Sequence, residues 1–247
     1  WLWITALIGM ATKYSEVLLA VKFREKNKYG DWVGGPMYYI KNGLGKRWQW
    51  LAILYALFGT LTVFGTGNAT QVNTITTAIN TALTQFHLVS DAFVPTLNLI
   101  IGIFCAMLVA MVLLGGIKRI GSVSEKLVPF MALFYMGGAV VVLWVHRANL
   151  PQAFAQICSM AFDTRAGTGG VLGYGMTQAV RAGVSRGIFS NEAGLGSSVM
   201  VHAAADAREP CEQGMWAVFE VFFDTIVMCS VTAFVILTSG VYDVSRY

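Results

Sequence analysis

The sequence predicts an all-α protein, a bundle of helices that crosses a membrane several times. Of its 247 residues, 56% are hydrophobic and only 12% are charged. A soluble domain carries about twice that share of charged residues. The apolar residues also gather in long runs, and a helix of about 20 apolar residues crosses a hydrocarbon core of about 30 Å. A water-soluble globule is therefore disfavoured.

Six segments are long enough to cross the membrane as helices. Five of them are apolar through most of their length. The remaining one, Val171–Ala205, is interrupted by glycine and polar residues. Together they form a single predicted transmembrane domain over residues 1–247. The predicted spans are Trp1–Val21, Trp50–Ile79, Leu97–Ile117, Leu127–Val145, the broken segment Val171–Ala205, and Met215–Val241.

The connections between the spans alternate in charge, which predicts their orientation. The first connection carries seven Lys and Arg residues between Lys22 and Arg47, and the second, near His87–Pro95, carries none. The third carries Lys118, Arg119 and Lys126. Because cytoplasmic loops are rich in Lys and Arg, the first, third and fifth connections are predicted to be cytoplasmic. In the first, Pro36 after two glycines is predicted to begin a short interfacial helix.

A polar face is predicted on the second span. Asn68, Gln71 and Thr74 follow one another at steps of three residues and so share one side of a helix. Asn and Gln offer both hydrogen-bond donors and acceptors, which an amino acid substrate requires. Polar side chains also bond neighbouring helices in membrane bundles. Both interpretations stay open for this face.

The broken segment contains a cluster of residues that do not suit a helix in lipid. Four glycines lie within residues 183–197, together with Arg186 and Glu192. If the helix unwinds near Ser190, Asn191 and Gly194, its free N–H and C=O groups can bind carboxylates and cations. The alternative is a cytoplasmic loop between Arg186 and His202, in which Ser190 caps a helix.

The last span carries two carboxylates, Glu220 and Asp224, four residues apart on one face. Like charges at this spacing repel. We therefore expect that one is protonated, or that both meet a cation such as Arg181 or Arg186. Arg186, Glu192, Glu220 and Asp224 are candidate structural charges, with ion or proton coupling as the alternative role.

Several stretches of the chain form a recognisable set. They are the segments Ala6–Glu16, Gly34–Ile40 and Arg186–Ser197, the last containing Ser-Asn-Glu-Ala-Gly, followed by His202 and Pro210–Gly214. Together they resemble the alanine or glycine:cation symporter family. The resemblance covers essentially the whole chain. It implies a leucine-transporter-like fold of two inverted five-helix repeats. The chain would be a fragment of that fold, without its first helix and the helices after the seventh.

The resemblance implies a secondary active transporter that carries a small neutral amino acid, alanine or glycine, with sodium by alternating access. Such a protein is a multi-pass protein of the plasma membrane, here the bacterial inner membrane. Its partners are the amino acid, the sodium ion and membrane lipid, with no organic cofactor and no nucleic acid. The implied substrate-binding residues are Asn68, Gln71, Thr74, Ser190, Asn191 and Gly194.

Other function classes remain as alternatives or are disfavoured. Most sodium ligands of the implied fold would lie outside this chain, so the metal site is not assigned, and a proton-coupled transporter stays open. A passive channel or facilitator is a further alternative, although no ring of charges or carbonyls is evident. An enzyme is not expected, because the three histidines and four cysteines lie apart and form no catalytic or metal-binding motif.

Overall fold

The computed structural model describes residues 1–62, 65, 68–90, 93–162 and 171–240. The chain divides into two units. One contains Trp1–Lys46 and Phe130–Tyr247, and the other contains Arg47–Pro129.

Helices make up most of both units. The first unit begins with α1 (Leu2–Lys22), a hairpin of β1 (Glu25–Lys26) and β2 (Trp32–Val33), and α2 (Pro36–Gly43). The second contains α3 (Gln49–Thr62), α4 (Asn68–Gln85) and α5 (Val94–Leu113), and α6 (Gly116–Val145) returns to the first. There follow α7 (Leu150–Phe162), α8 (Val171–Asn191), α9 (Ser197–Ala203), α10 (Pro210–Val221), a π-helical turn (Phe222–Met228) and α11 (Cys229–Ser239).

Four helical stretches in the described part of the chain are long and apolar enough to cross a membrane. They are Leu2–Lys22, Val94–Leu113, Arg119–Val145 and Pro210–Ser239. They coincide with four of the spans predicted from the sequence, within about five residues at each end except one: the third stretch begins at Arg119, well before the predicted start at Leu127. Val241, the predicted end of the last span, lies outside the described residues.

The prediction of a single span over Trp50–Ile79 is wrong, because the structure forms two helices there. Helix α3 ends at Thr62 and α4 begins at Asn68. The N–H of Gly65 donates to the carbonyl of Thr62 at 3.1 Å, which is a turn and not a continuing helix. The sequence between the helices contains two glycines and one threonine, which are weak helix formers. Val63, Phe64, Thr66 and Gly67 lie outside the described residues.

The third connection is also shorter than predicted. Helix α6 begins at Gly116, so Lys118, Arg119 and Lys126 lie in its first turns and not in a loop. Lys, Arg and Glu extend a helix readily, and only residues 114–115 separate α5 from α6. In the first connection, by contrast, α2 begins at Pro36, where the sequence predicts it.

Helix α1 is the central helix of the first unit. It contacts α2, α8, α9, α10 and the π-helical turn. Small residues let α8 approach closely, as in small-xxx-small packing between membrane helices. A Cβ added to Gly183 would lie 2.6 Å from the Cβ of Trp1, and one added to Gly187 would lie 2.9 Å from the Cβ of Thr5. Helix α1 therefore packs closely against α8, and it also contacts α9 and α10.

Candidate functional site

The interruption between α8 and α9 is a short stretch of irregular backbone in the first unit. Helix α8 ends at Asn191 and α9 begins at Ser197. Between them, Glu192, Gly194 and Gly196 have φ values of 51°, 88° and 74°. This left-handed region costs a residue with a side chain about 1–2 kcal/mol, which explains the two glycines. The interruption adjoins Ser190 and Asn191 and contains Gly194.

The interruption lies beside α1, within the length of that helix. Its contacts come from Lys13 and Glu16, which lie about 16 and 21 Å along α1 from Leu2 at a rise of 1.5 Å per residue. Helix α1 has 21 residues and is one of the candidate membrane spans. This position favours an interruption at membrane depth over a loop that lies wholly in water.

Lys13 joins the two ends of the interruption. Its side chain is completely buried, with 0% of its surface exposed. Its Nζ donates to the carbonyl oxygen of Asn191 at 3.0 Å and to the Oγ of Ser198. The carbonyl end of a helix carries partial negative charge, so the ammonium lies where it stabilises the end of α8.

Glu16 contacts the N–H side of the same interruption. Its Oε2 accepts the backbone N–H of Gly194 at 3.1 Å. Coulombic attraction also links Lys13 to Glu16 and to Glu220. The sequence predicts that the peptide groups at the break are free to bind a ligand. For two of these groups the prediction is wrong. The carbonyl of Asn191 and the N–H of Gly194 are already bonded to side chains of α1.

The two carboxylates of the last span bond to residues of α8 and α9. Asp224 accepts a hydrogen bond from Ser190 Oγ. Glu220 lies 2.7 Å from His202 Nε2, and Gln213 Nε2 donates to His202 Nδ1 at 2.8 Å. Because Nδ1 accepts that bond, Nε2 carries the hydrogen that bonds Glu220.

These contacts correct one of the two predicted alternatives, the pairing of both carboxylates with Arg181 or Arg186; protonation of one carboxylate stays a prediction. The side chains of Arg181 and Arg186 are exposed in the unit, and His202 and Ser190 take their place. The π-helical turn begins at Phe222, between the two carboxylates, and changes the helical register there. Glu192 accepts a bond from Ser197 Oγ across the interruption.

A cleft of about 340 Å³ lies between α1 and α8, next to the interruption. Asn191 lies at its edge with 4% of its surface exposed. Its Oδ1 accepts the N–H of Ala193 at 3.0 Å, but its Nδ2 has no hydrogen-bond partner among the described residues. A buried donor without a partner costs about 1–3 kcal/mol. The other lining residues are Trp1, Ile4, Thr5, Ile8, Gly9, Thr12, Val180, Val184, Ile188 and Ala193.

The sodium:alanine symporter family model matches residues 1–247. This chain belongs to that family. Membership confirms the resemblance carried by the Ser-Asn-Glu-Ala-Gly segment, and the family is one of transporters, not enzymes. Its described helices are those of an all-α, multi-pass membrane protein.

Three relatives illustrate the range of the family. An uncharacterized transporter of Haemophilus influenzae is 44% identical over 245 residues, which are 98% of this chain and 51% of that protein. The sodium/alanine symporter AgcS of Methanococcus maripaludis is 40% identical over 97% of this chain and 50% of its own length. The probable sodium/glutamine symporter GlnT of Bacillus subtilis is 37% identical over 98% of this chain and 47% of its own length. The chain thus spans about half the length of the curated relatives it matches.

The predicted polar face of this symporter-family chain lies in the second unit. Asn68, Gln71 and Thr74 occupy the first two turns of α4, and their side chains are exposed in that unit. Thr74 Oγ1 donates to the carbonyl of Thr70 at 2.9 Å, within its own helix. Further along α4, Asn80 Nδ2 donates to Asn98 Oδ1 of α5 at 2.6 Å. Polar bonding between helices is therefore present in α4, and the role of the first two turns stays a prediction.

Lys13 and Glu16 are site residues that the sequence reasoning missed. Both lie in the segment Ala6–Glu16, which supports the family resemblance, but the sequence analysis predicts no role for either. The available signal is a lysine in the middle of an apolar span, with Glu16 one turn away. An ionisable side chain within a membrane span is costly and marks a functional site by default.

Proposed function

We propose that this chain is part of a sodium-coupled symporter for a small neutral amino acid, alanine or glycine. It works by alternating access in the bacterial inner membrane, as part of a fold with two inverted five-helix repeats. The description of the family and the name of AgcS support this substrate class. GlnT is named for glutamine, so substrate choice varies among relatives.

The interruption between α8 and α9 carries this proposal. Transporters bind substrates at discontinuous helices, where irregular backbone is tolerated because protein or a cavity satisfies it. The cleft beside the interruption is small, at the lower end of the range for ligand sites. Asn191 lines the cleft, and its buried, unpartnered Nδ2 becomes a donor for the carboxylate of a substrate when the side chain turns into the cleft. Its apolar lining suits a short aliphatic side chain.

The remaining candidate residues have distinct proposed roles. Asn68, Gln71 and Thr74 on α4 remain proposed substrate-binding residues. Ser190 and Gly194 hold the shape of the interruption through Asp224 and Glu16. Arg186, Glu192, Glu220 and Asp224 are structural charges in this proposal, and sodium is the coupling ion.

Transport by the whole protein in proteoliposomes tests the proposal. We expect an inward sodium gradient to drive labelled alanine above its external concentration, and we expect glycine to compete with it. Without a gradient, counterflow of labelled alanine should continue, because a carrier exchanges substrate. Equilibration without accumulation would indicate a passive facilitator, and accumulation driven by a proton gradient alone would indicate proton coupling. Either result would contradict sodium symport.

A further inference from the structure

A basic surface follows α1 where that helix ends at Lys22. Lys22, Lys26 and Lys28 are all exposed, and we refer to these three residues with Tyr29 as the basic hairpin surface. The acidic Glu25 between them is bonded to Lys41 Nζ at 3.0 Å. The three lysines are therefore not neutralised by Glu25.

The hairpin holds this surface in a defined shape. Its strands pair Lys26 with Trp32, and Lys26 Nζ lies 5.0 Å from the centre of the Trp32 ring. At the tip, Asn27 Oδ1 accepts the N–H groups of Tyr29 and Asp31 at 2.8 and 2.9 Å. Tyr29 is 89% exposed. The turn therefore presents Lys28 and Tyr29 outward on an ordered backbone.

The hairpin is attached firmly to the rest of the first unit. Asn42 Nδ2 donates to the carbonyl of Phe23 at 3.1 Å and to Glu25 Oε1 at 2.8 Å, which docks α2 onto the hairpin. The guanidinium of Arg24 lies 4.2 Å from the Trp32 ring centre. It also donates to the carbonyls at the end of α9 and just beyond, which belong to Ala203, Ala205 and Ala207.

We propose that the basic hairpin surface binds the headgroups of anionic phospholipids and anchors the end of α9 to the membrane surface. Lys26 and Lys28 lie within six residues of the end of a candidate membrane span, so they lie near the plane of the headgroups. Lysines at this position are attracted to anionic lipid, and tyrosine is enriched at the same depth. Arg24 then links the lipid-bound hairpin to α9.

Thermal unfolding of the whole protein in neutral detergent tests this surface without any transport assay. Phosphatidylglycerol and phosphatidylcholine are titrated separately into wild type and into a triple variant, Lys22→Gln, Lys26→Gln and Lys28→Gln. A ligand that binds the folded state raises the melting temperature. We expect phosphatidylglycerol to raise it more than phosphatidylcholine. The triple variant should need at least tenfold more phosphatidylglycerol for half of that rise.

A control variant that also loses three positive charges shows whether the response depends on where the charges lie or only on the total charge. Arg119→Gln, Lys126→Gln and Arg208→Gln together should keep more of the response to phosphatidylglycerol than the hairpin variant does, because Arg119 and Lys126 lie on α6 and Arg208 lies just before α10, so the three do not form one surface. An unchanged response in the hairpin variant would overturn the proposal, as would an equal loss in the control variant. So would an equal rise with inorganic phosphate, which would indicate a site for free anions, or a larger rise with an acidic peptide.

Discussion

Lys13 places a positive charge in the interior of the first unit, on a helix long enough to cross a membrane. A charge removed from water is costly unless it is paired and hydrogen-bonded. Lys13 is compensated by direct hydrogen bonds and by longer-range attraction to carboxylates. Its Nζ bonds the Asn191 carbonyl and Ser198, and the carboxylates of Glu16 and Glu220 attract it. It therefore ties α1 to both sides of the interruption.

Replacing Lys13 with methionine should destabilise the protein strongly. The variant Lys13→Met keeps the volume but leaves Glu16, Glu220 and the Asn191 carbonyl without the ammonium. Leaving a buried hydrogen-bond acceptor without its donor costs about 1–3 kcal/mol. The control Lys41→Met removes the pair with Glu25, whose side chains are 46% and 38% exposed, and should cost about 0–1 kcal/mol. Unfolding of the purified protein by denaturant measures the loss of unfolding free energy in both variants. Equal losses would contradict a stabilising role for the buried Lys13.

Gly194 is required by its backbone conformation and not by lack of space. Its φ is 88°, and nothing lies within 4 Å of an added Cβ. Gly194→Ala should therefore cost about 1–2 kcal/mol of unfolding free energy. Gly102→Ala is the control, because Gly102 is helical and equally open, and there alanine should stabilise by about 0.5–1 kcal/mol. A stabilising Gly194→Ala in the same unfolding measurement would show that the interruption does not hold this conformation.

At the scale of elements, the sequence predicts where α8 is interrupted but not what binds there. Glycine, serine and asparagine near Ser190–Gly194 are poor helix formers, and this local property carries the prediction. The partners come from far along the chain. Lys13 is 178 residues from Asn191, and Asp224 is 34 residues from Ser190. The periodicity of one helix contains no information about such neighbours, so it does not identify His202 and Ser190 as the partners of the two carboxylates.

The division of Trp50–Ile79 into α3 and α4 has a related cause. The segment is long and apolar enough to read as one span, because hydropathy averages over a window. The weak helix formers between Thr62 and Asn68 act locally and are diluted in that average. The division does not separate the residues of the predicted polar face, because Asn68, Gln71 and Thr74 all lie within α4.

The attachment of α2 to the hairpin should weaken at low pH. Hydrogen bonds from Asn42 and Lys41 lower the pKa of Glu25, so its charged form is favoured in the folded state. The stabilisation is present above the ordinary glutamate pKa and is lost as the pH falls through the lowered pKa of the folded state. Hydrogen exchange of the α2 amides, corrected for intrinsic rates, should accelerate between about pH 6 and about pH 3.

Glu25→Gln is the control for this pH dependence. Its α2 amides should exchange at similar corrected rates at both pH values, because the titrating group is gone. If wild type and Glu25→Gln respond alike, another group is responsible, and Glu25 does not hold α2.

At the scale of the whole molecule, the chain matches about half the length of its relatives, and its two candidate regions lie in different units. Residue patterns were sufficient for the class and the family, because composition and the Ser-Asn-Glu-Ala-Gly segment are properties of the sequence itself. They do not distinguish a substrate contact from polar packing on α4. Asn80 and Asn98 bond across helices with the same chemistry that Gln71 would use for a substrate.

Gln71→Ala should raise the KM for alanine in the whole protein without lowering its abundance in the membrane. One lost hydrogen bond is worth about 0.5–1.5 kcal/mol, which corresponds to roughly a 2- to 12-fold rise in KM. Gln85→Ala, at the other end of α4 and equally exposed, should leave the KM unchanged. Initial rates of sodium-driven uptake measure both variants. An unchanged KM in Gln71→Ala would assign Gln71 to packing.

The most direct test concerns the depth of the interruption and its contact with substrate. Leu195→Cys and Asp206→Cys are compared in a whole protein whose native cysteines are replaced, using a membrane-impermeant maleimide. Leu195 lies in the interruption, and Asp206 lies in the loop after α9. We predict slower labelling at position 195 than at 206, and further slowing when alanine and sodium are added together. Equal labelling at both positions, unaffected by alanine and sodium, would contradict a substrate site at membrane depth.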